Sequence, residues 1–275
     1  MKRILVPTDF SETSKNAARY AVQLAASIPG ASIVLYNLTD ALALGSDSSP
    51  LTEDKSDRFT ILQAALNNLK TDLKDFSDTP VQTVVEEGSS LTENLARYAR
   101  HHGIDLIIMG ITGATRLEQI LMGSNALNVV NTGACPVIIV PPHAKYTPIR
   151  KVLFACDLKD VTTTVPVAPI KSILNSFKPQ LFVVNVDTDH YVEVTETYKS
   201  ERAILENLLE DYNPEFYFIR MYDFQESISS FAADREIDLI LTVPRKHSFL
   251  SGLFKTSHTK KLAYHSHVPI LAVHE

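Results

Sequence analysis

The chain has 275 residues, 45% of them apolar and 21% charged, a composition that suits one large or two ordinary globular domains with a sizeable core. Its formal net charge of −6 gives no general pull toward nucleic acid or an anionic membrane surface, so neither is expected as a partner. Two cysteines, Cys135 and Cys156, make no disulfide framework, no apolar run is long enough to span a bilayer, and the cytoplasm is the expected location.

Residues 3–6 read as a strand, with Pro7-Thr8-Asp9 as the loop at its carboxyl end. Ala17, Ala18, Ala21, Val22, Leu24 and Ala25 then repeat at helical spacing until Pro29-Gly30 stops them. Residues 32–38 are rich in β-formers, and the polar stretch 40–56 suggests a loop over the sheet edge. Ile61, Leu62, Ala65, Leu66, Leu69 and Leu73 mark an amphipathic helix. A strand at 81–85, a helix at 91–100 and a strand at 105–109 follow. His101-His102 closes that helix, where a cation offsets the dipole. Such alternation argues for a parallel sheet with helices on both faces. Right-handed crossovers then place the loops after the first and fourth strands at one edge, bringing Asp9 toward Gly110.

The stretch 105–126 carries the chemistry. A short apolar strand ends at Gly110, Gly113 follows one turn later, and Gly123-Ser124-Asn125 precedes a helical pattern. Glycine lets the backbone approach a ligand, and a helix start presents free N–H groups and partial positive charge. Together these describe a phosphate cradle. The same glycines could equally serve only to turn the chain between strand and helix.

The spacing Gly110-x-x-Gly113-x9-Gly123-Ser124 resembles the ATP-binding signature of universal stress proteins, G-x-x-G-x9-G-[ST]. Met109 before the first glycine, Ala134-Cys135-Pro136 before the strand at 137–140, and the opening Ile4-Leu5-Val6-Pro7-Thr8-Asp9 match that family too. The resemblance implies two tandem α/β domains of Rossmann-like (adenine nucleotide alpha hydrolase-like) fold, each with a five-stranded parallel sheet. It implies ATP, with Mg²⁺ held mostly through phosphate oxygens and water. Asp9 and the Pro7-Thr8 backbone would face the adenosine, with Asn37 and Leu38 lining the base, although the family's usual valine is missing there. Met109 and Gly110 would pack on ribose and α-phosphate. Gly113, Gly123, Ser124 and Asn125 would hold the outer phosphates. The family also pairs its last strands across a dimer. Here residues 137–140 and 270–273 would pair within one chain as a pseudo-dimer, leaving further assembly into a homodimer open.

Past the linker at 143–149 the pattern starts again. Residues 150–157 parallel 2–9, residues 180–186 parallel the second strand, and 195–209 give another long helix. Residues 237–241 copy 104–108, and 267–273 end in a copy of 135–140. Two copies of one domain follow, over residues 1–142 and 150–275. With Asp238 registered on Asp105, Gly110 falls on Val243, Gly113 on Lys246 and Gly123 on Thr256; only Ser124 keeps its type, at Ser257. One nucleotide site per chain is therefore expected, in the first copy, with Asp157 a relic.

Arg245, Lys246, His247, Lys255, His258, Lys260 and Lys261 gather where the first copy holds its phosphates. They read either as an anion site or, as charge runs usually do, as a solvated face. His265, His267 and His274 lie close by without a Cys or carboxylate at ligand spacing, which favours structural histidines over a metal site. Three functions compete: a nucleotide-dependent stress-response sensor or regulator, a slow ATPase with Arg116 and Glu118 near the γ-phosphate, and a nucleotide-free scaffold. No dedicated hydrolytic machinery is visible and no catalytic residue is assigned, so the sensor is preferred.

Overall fold

The computed structural model describes residues 1–39, 55–111, 124–187, 195–220, 224–244 and 268–274. In the first half, β1 (Arg3–Pro7) leads through α1 (Glu12–Ala26), β2 (Ser32–Thr39), α2 (Lys55–Leu73) and β3 (Val81–Glu87). It continues with α3 (Leu91–His102), β4 (Leu106–Gly110), α4 (Ser124–Asn131) and β5 (Val137–Val140). The second half runs β6 (Lys151–Ala155), α5 (Val161–Thr164), α6 (Val167–Phe177), β7 (Gln180–Asp187) and α7 (Glu196–Leu208). It ends with β8 (Glu215–Arg220), α8 (Phe224–Asp234), β9 (Leu239–Thr242) and β10 (Ile270–Ala272).

Local chemistry explains these elements. Ile4, Leu5 and Val6 are all fully buried, because a parallel strand covered on both faces needs consecutive rather than alternating apolar residues. Ser11 caps α1 by accepting a hydrogen bond from the Ser14 amide at 3.3 Å, and the alanine-rich face behind it is buried. Small side chains there let the helix lie close to the sheet. Helix α3 starts at the Ser90 cap and stops at Gly103, whose φ of 58° is the left-handed conformation glycine adopts without strain. Arg100, His101 and His102 fill its last turn, where positive charge meets the negative end of the dipole.

Each half supplies five mutually parallel strands, but they do not form two distinct sheets, because the last strands of the two halves pair with each other. Among the described residues the strands form one ten-stranded sheet, in the order β3-β2-β1-β4-β5-β10-β9-β6-β7-β8. All neighbours are parallel except β5 and β10, which pair antiparallel through Ile139–Ile270, Ile138–Leu271 and Val137–Ala272. The last strand of each half is apolar and buried, so each covers the other's open edge. Because that pair is antiparallel, the second half is inverted, and its strands end at the opposite edge of the sheet from those of the first. Strand β8 is the far edge of the second half. Sequence reading leaves it unassigned because its aromatic run does not alternate; its rings face helices on both sides. Phe218 meets Tyr198 of α7 at 5.0 Å, and Tyr217 meets Phe231 of α8 at 4.9 Å.

One carboxylate pins the start of the first strand in each half, β1 and β6. Asp105 Oδ2 accepts the Lys2 and Arg3 amides at 2.7 and 3.0 Å. Asp238 Oδ2 accepts the Arg150 and Lys151 amides, both at 2.9 Å. Partial burial pushes the Asp105 carboxyl up, but the two amides and the chain amino terminus outweigh it and hold it below 3.8. A carboxyl depressed by folding stabilises the protein above its unfolded value and loses that contribution as pH falls through the folded one. Asp105→Ala is therefore expected to cost about 1–2 kcal/mol at neutral pH, the exposed position limiting the gain. Urea titrations should show the gap between variant and parent closing below pH 3.8. A gap that stays constant down to pH about 2 would contradict this role.

Candidate functional site

The carboxyl ends of β1, β2 and β4 meet in a cleft of about 370 Å³. Its walls hold Pro7 at the end of β1 with Thr8 and Asp9 after it, Tyr36, Asn37 and Leu38 from β2, and Met109 and Gly110 from β4. The starts of three helices complete it: Thr13 and Ser14 of α1, Ser89 and Leu91 at α3, and Asn125 and Ala126 of α4. A helix start offers unpaired N–H groups and the positive end of the dipole, so three of them favour a negatively charged ligand. Among the described lining residues none carries a cationic side chain.

A hydroxyl network shapes the wall at α1. Thr8 Oγ1 accepts from the Phe10 amide at 3.0 Å and lies 3.0 Å from Ser14 Oγ. Phe10 takes a φ of 64°, turning the chain sharply into the helix. Asp9 Oδ1 accepts the Ser11 amide at 3.0 Å and the Ser11 hydroxyl at 2.5 Å. Partial burial would raise the Asp9 carboxyl, but the Ser11 and Ser14 hydrogen bonds prevail and lower it, so Asp9 is ionised at neutral pH.

Gly110 has a steric reason to be glycine. A Cβ there would run into the Thr13 carbonyl and stand 3.2 Å from the Ser14 amide nitrogen. Strand β4 thus meets the first turn of α1 without a side chain between them. Asn37 also has work inside the fold: its Nδ2 donates to the Thr8 carbonyl at 2.8 Å, fixing the loop that carries Asp9. Its Oδ1 is buried and has no hydrogen-bond partner among the described residues. The second half repeats the bond, Asn185 Nδ2 donating to the Cys156 carbonyl at 2.9 Å.

Of the residues singled out from sequence, Pro7, Thr8, Asp9, Asn37, Met109, Gly110 and Asn125 line this one cleft. Ser124 opens α4 beside Asn125. Gly113, Gly123, Arg116 and Glu118 lie outside the described residues, as does most of the polar stretch 40–56. Thr13, Ser14, Tyr36, Ser89, Leu91 and Ala126 were missed as wall residues. The Ser11-x-x-Ser14 capping pattern was the available signal for the first two. Tyr36 is held by its hydroxyl, which donates to Glu86 Oε2 at 2.8 Å, while Arg97 holds the same oxygen at 2.6 Å.

The corresponding place in the second half differs. Val243 stands at the Gly110 position and is buried. The helix matching α1 is broken into α5 and α6, and Leu158 and Val161 are buried before and within it. Asp157 is 5% exposed, and its Oδ1 accepts the Lys159 amide at 3.3 Å. Glu201 of α7 reaches across to accept the Val161 amide at 2.8 Å. Arg245, Lys246, His247, Lys255, His258, Lys260, Lys261, His265 and His267 lie outside the described residues, whereas His274 packs near Gly133. Among the described residues no group of three or more His, Cys, Asp or Glu is arranged to hold a metal ion. Neither cysteine is in a disulfide; burial pushes the Cys135 thiol up to about 12, which keeps it protonated and unreactive. No described helix is long and apolar enough to cross a membrane.

Comparison with known proteins agrees with this architecture. A profile of the Universal stress protein family matches residues 1–141 and 172–274. A universal stress protein of Methanocaldococcus jannaschii is 31% identical over 145 residues, spanning 52% of this chain and 84% of that protein. A second from the same organism is 27% identical over 154 residues, spanning 50% of this chain and 94% of its own. A crystal structure of a universal stress protein from Archaeoglobus fulgidus superposes with a TM-score of 0.69, covering 99% of this chain and 98% of that one; at 14% identity it speaks for the fold alone. With each half matched and both copies present in one continuous chain, this protein belongs to the universal stress protein family as a tandem, two-domain member.

Proposed function

We propose that the cleft of the first domain, residues 1–142, binds ATP with Mg²⁺, and that the chain acts as a nucleotide-dependent sensor in a stress response. The observation that carries this reading is a convergence. Residues more than a hundred positions apart, Asp9, Asn37, Gly110 and Asn125 among them, line one cleft under three helix starts. The glycine signature at 110, 113 and 123 belongs to the same segment of sequence.

The described walls fit such a ligand. A volume of about 370 Å³ is in the range of nucleotide-sized pockets. The unpartnered Asn37 Oδ1 is a spare acceptor beneath the base side, and the helix starts offer N–H donors to phosphate. In this reading Asp9 and the Pro7-Thr8 backbone orient the adenosine, and Met109 and Gly110 pack under ribose and α-phosphate. Gly113, Gly123, Ser124 and Asn125 hold the outer phosphates. Mg²⁺ would screen the phosphate charge while coordinated mainly by phosphate oxygens and water. Asp9 is tied down by Ser11 and the described walls hold no cationic side chain, so sensing is preferred over turnover. The second domain, residues 150–275 beyond the linker 143–149, would hold no nucleotide, since Val243 and the Glu201-capped, broken helix occupy the corresponding approach.

The test is to denature freshly purified protein and identify the nucleotide released. About one ATP per chain is expected, lost in Gly123→Val, whose side chain would block close approach of phosphate to the backbone. ADP in its place would move the reading toward a slow ATPase. No nucleotide, and no binding heat on adding Mg-ATP, would leave the scaffold as the better account.

A further inference from the structure

We infer that the interdomain segment 141–149 is a strap that reads occupancy of the first-domain cleft and passes it to the second domain; this rests on nucleotide binding in that cleft. The segment is held rather than loose. Ala144 and Ile149 are buried, and Tyr146 meets Tyr20 of α1 edge-on at 5.4 Å.

The strap is tied to the cleft wall at its start and to the second domain at its end. At its start, Val140 pairs with Gly110, and the Ile111 amide donates to the Val140 carbonyl at 3.3 Å. Asn16 Nδ2 donates to the Pro141 and Ala144 carbonyls at 3.3 and 3.0 Å. Asn16 lies one helical turn after Thr13, which lines the cleft and packs against Gly110. The first turns of α1 therefore touch ligand space and strap together. At the far end, Thr147 Oγ1 donates to Asp238 Oδ1 at 3.2 Å. The other oxygen of that carboxylate holds the Arg150 and Lys151 amides at the start of β6. An unbroken run of contacts thus leads from the cleft to two strands of the second domain.

The switching element is the docking of the strap itself, closed onto Asn16 or opened locally. A ligand shifts such an equilibrium only if it favours one arrangement. One that contacts Thr13, Ser14 and Gly110 steadies the surfaces on which the strap docks, and so favours the closed form. This coupling works through lost motion and needs no large displacement. The inverted second domain makes the arrangement reachable: β5 ends and β6 begins at the same sheet edge, so a short strap suffices.

The readout is amide hydrogen exchange at Ala144, whose N–H bonds the Pro141 carbonyl at 3.1 Å. With the full chain at saturating Mg-ATP, confirmed by calorimetry, exchange at Ala144 should slow by about tenfold or more. In Asn16→Ala, also held at saturating Mg-ATP, the slowing should disappear, and because coupling is reciprocal nucleotide affinity should fall by no more than about tenfold. Thr147→Val leaves Asn16 in place. It should keep the slowing at Ala144 and lose it at the Lys151 amide. Binding without any change at Ala144, or slowing that persists in Asn16→Ala, would overturn the strap and leave the nucleotide reading standing. No binding heat in the parent protein would overturn both.

Discussion

Valine in place of Gly110 is expected to lower the thermal midpoint by roughly 5–10 °C, from an overpacking cost of about 2–3 kcal/mol. The obstacle is backbone, not a side chain that can swing aside: a new Cβ meets the Thr13 carbonyl and the Ser14 amide nitrogen. Helix α1 would have to back away from β4, carrying Thr13 and Ser14 out of the cleft wall. Nucleotide retention should therefore fall with stability. The second domain supplies the control. Val243 already sits at the matching position and is buried, and the helix that matches α1 is broken there. Val243→Gly should destabilise by leaving a cavity, and should not create a second nucleotide site. A midpoint for Gly110→Val within about 1 °C of the parent would mean that α1 moves freely, and the steric account would be wrong.

The second large effect is expected at the seam between the domains. Leu271 is 1% exposed and is flanked by Ile138 of β5 and Leu241 of β9. Leu271→Asp would place an unpaired carboxylate in an apolar layer, costing about 3–5 kcal/mol or forcing the carboxyl to stay protonated. Urea unfolding should then separate into two steps as the domains lose their shared strand pair, the first sensitive to pH. One unshifted cooperative transition would show that the seam contributes little.

Much of the cleft was legible because its chemistry constrains residue type. Gly110 at a strand end, an acidic residue after the first strand and Asn125 at a helix start are all visible as patterns. Asn37 was legible as a wall residue but not in its role. A lone asparagine near a strand end gives no sign of the carbonyl it holds. The sign lay in the repeat, since Asn185 occupies the same place in a domain without the glycine signature. The Nδ2 bond that both copies keep is a fold bond, separate from the Oδ1 acceptor. The resemblance raised pairing of the last strands, yet the fused sheet and its inversion come from tertiary pairing that no local pattern encodes. Strand β8 escaped for a different reason: an edge strand with rings on both faces shows neither alternation nor a purely aliphatic run.

The strand pair between β5 and β10 joins surfaces carried on one polypeptide, so its formation does not depend on how much protein is present. A short tether keeps the two halves at an effective concentration on the order of millimolar, well beyond that of a typical cytosolic protein. Dilution cannot part them, so the contribution of this strand pair to stability should not vary with protein concentration. The second copy is thus a permanently supplied companion. It remains useful as the neighbour that covers β5 whether or not it binds anything itself. A half with no glycine at 243, 246 and 256 thus still presents an apolar β10 paired on both sides.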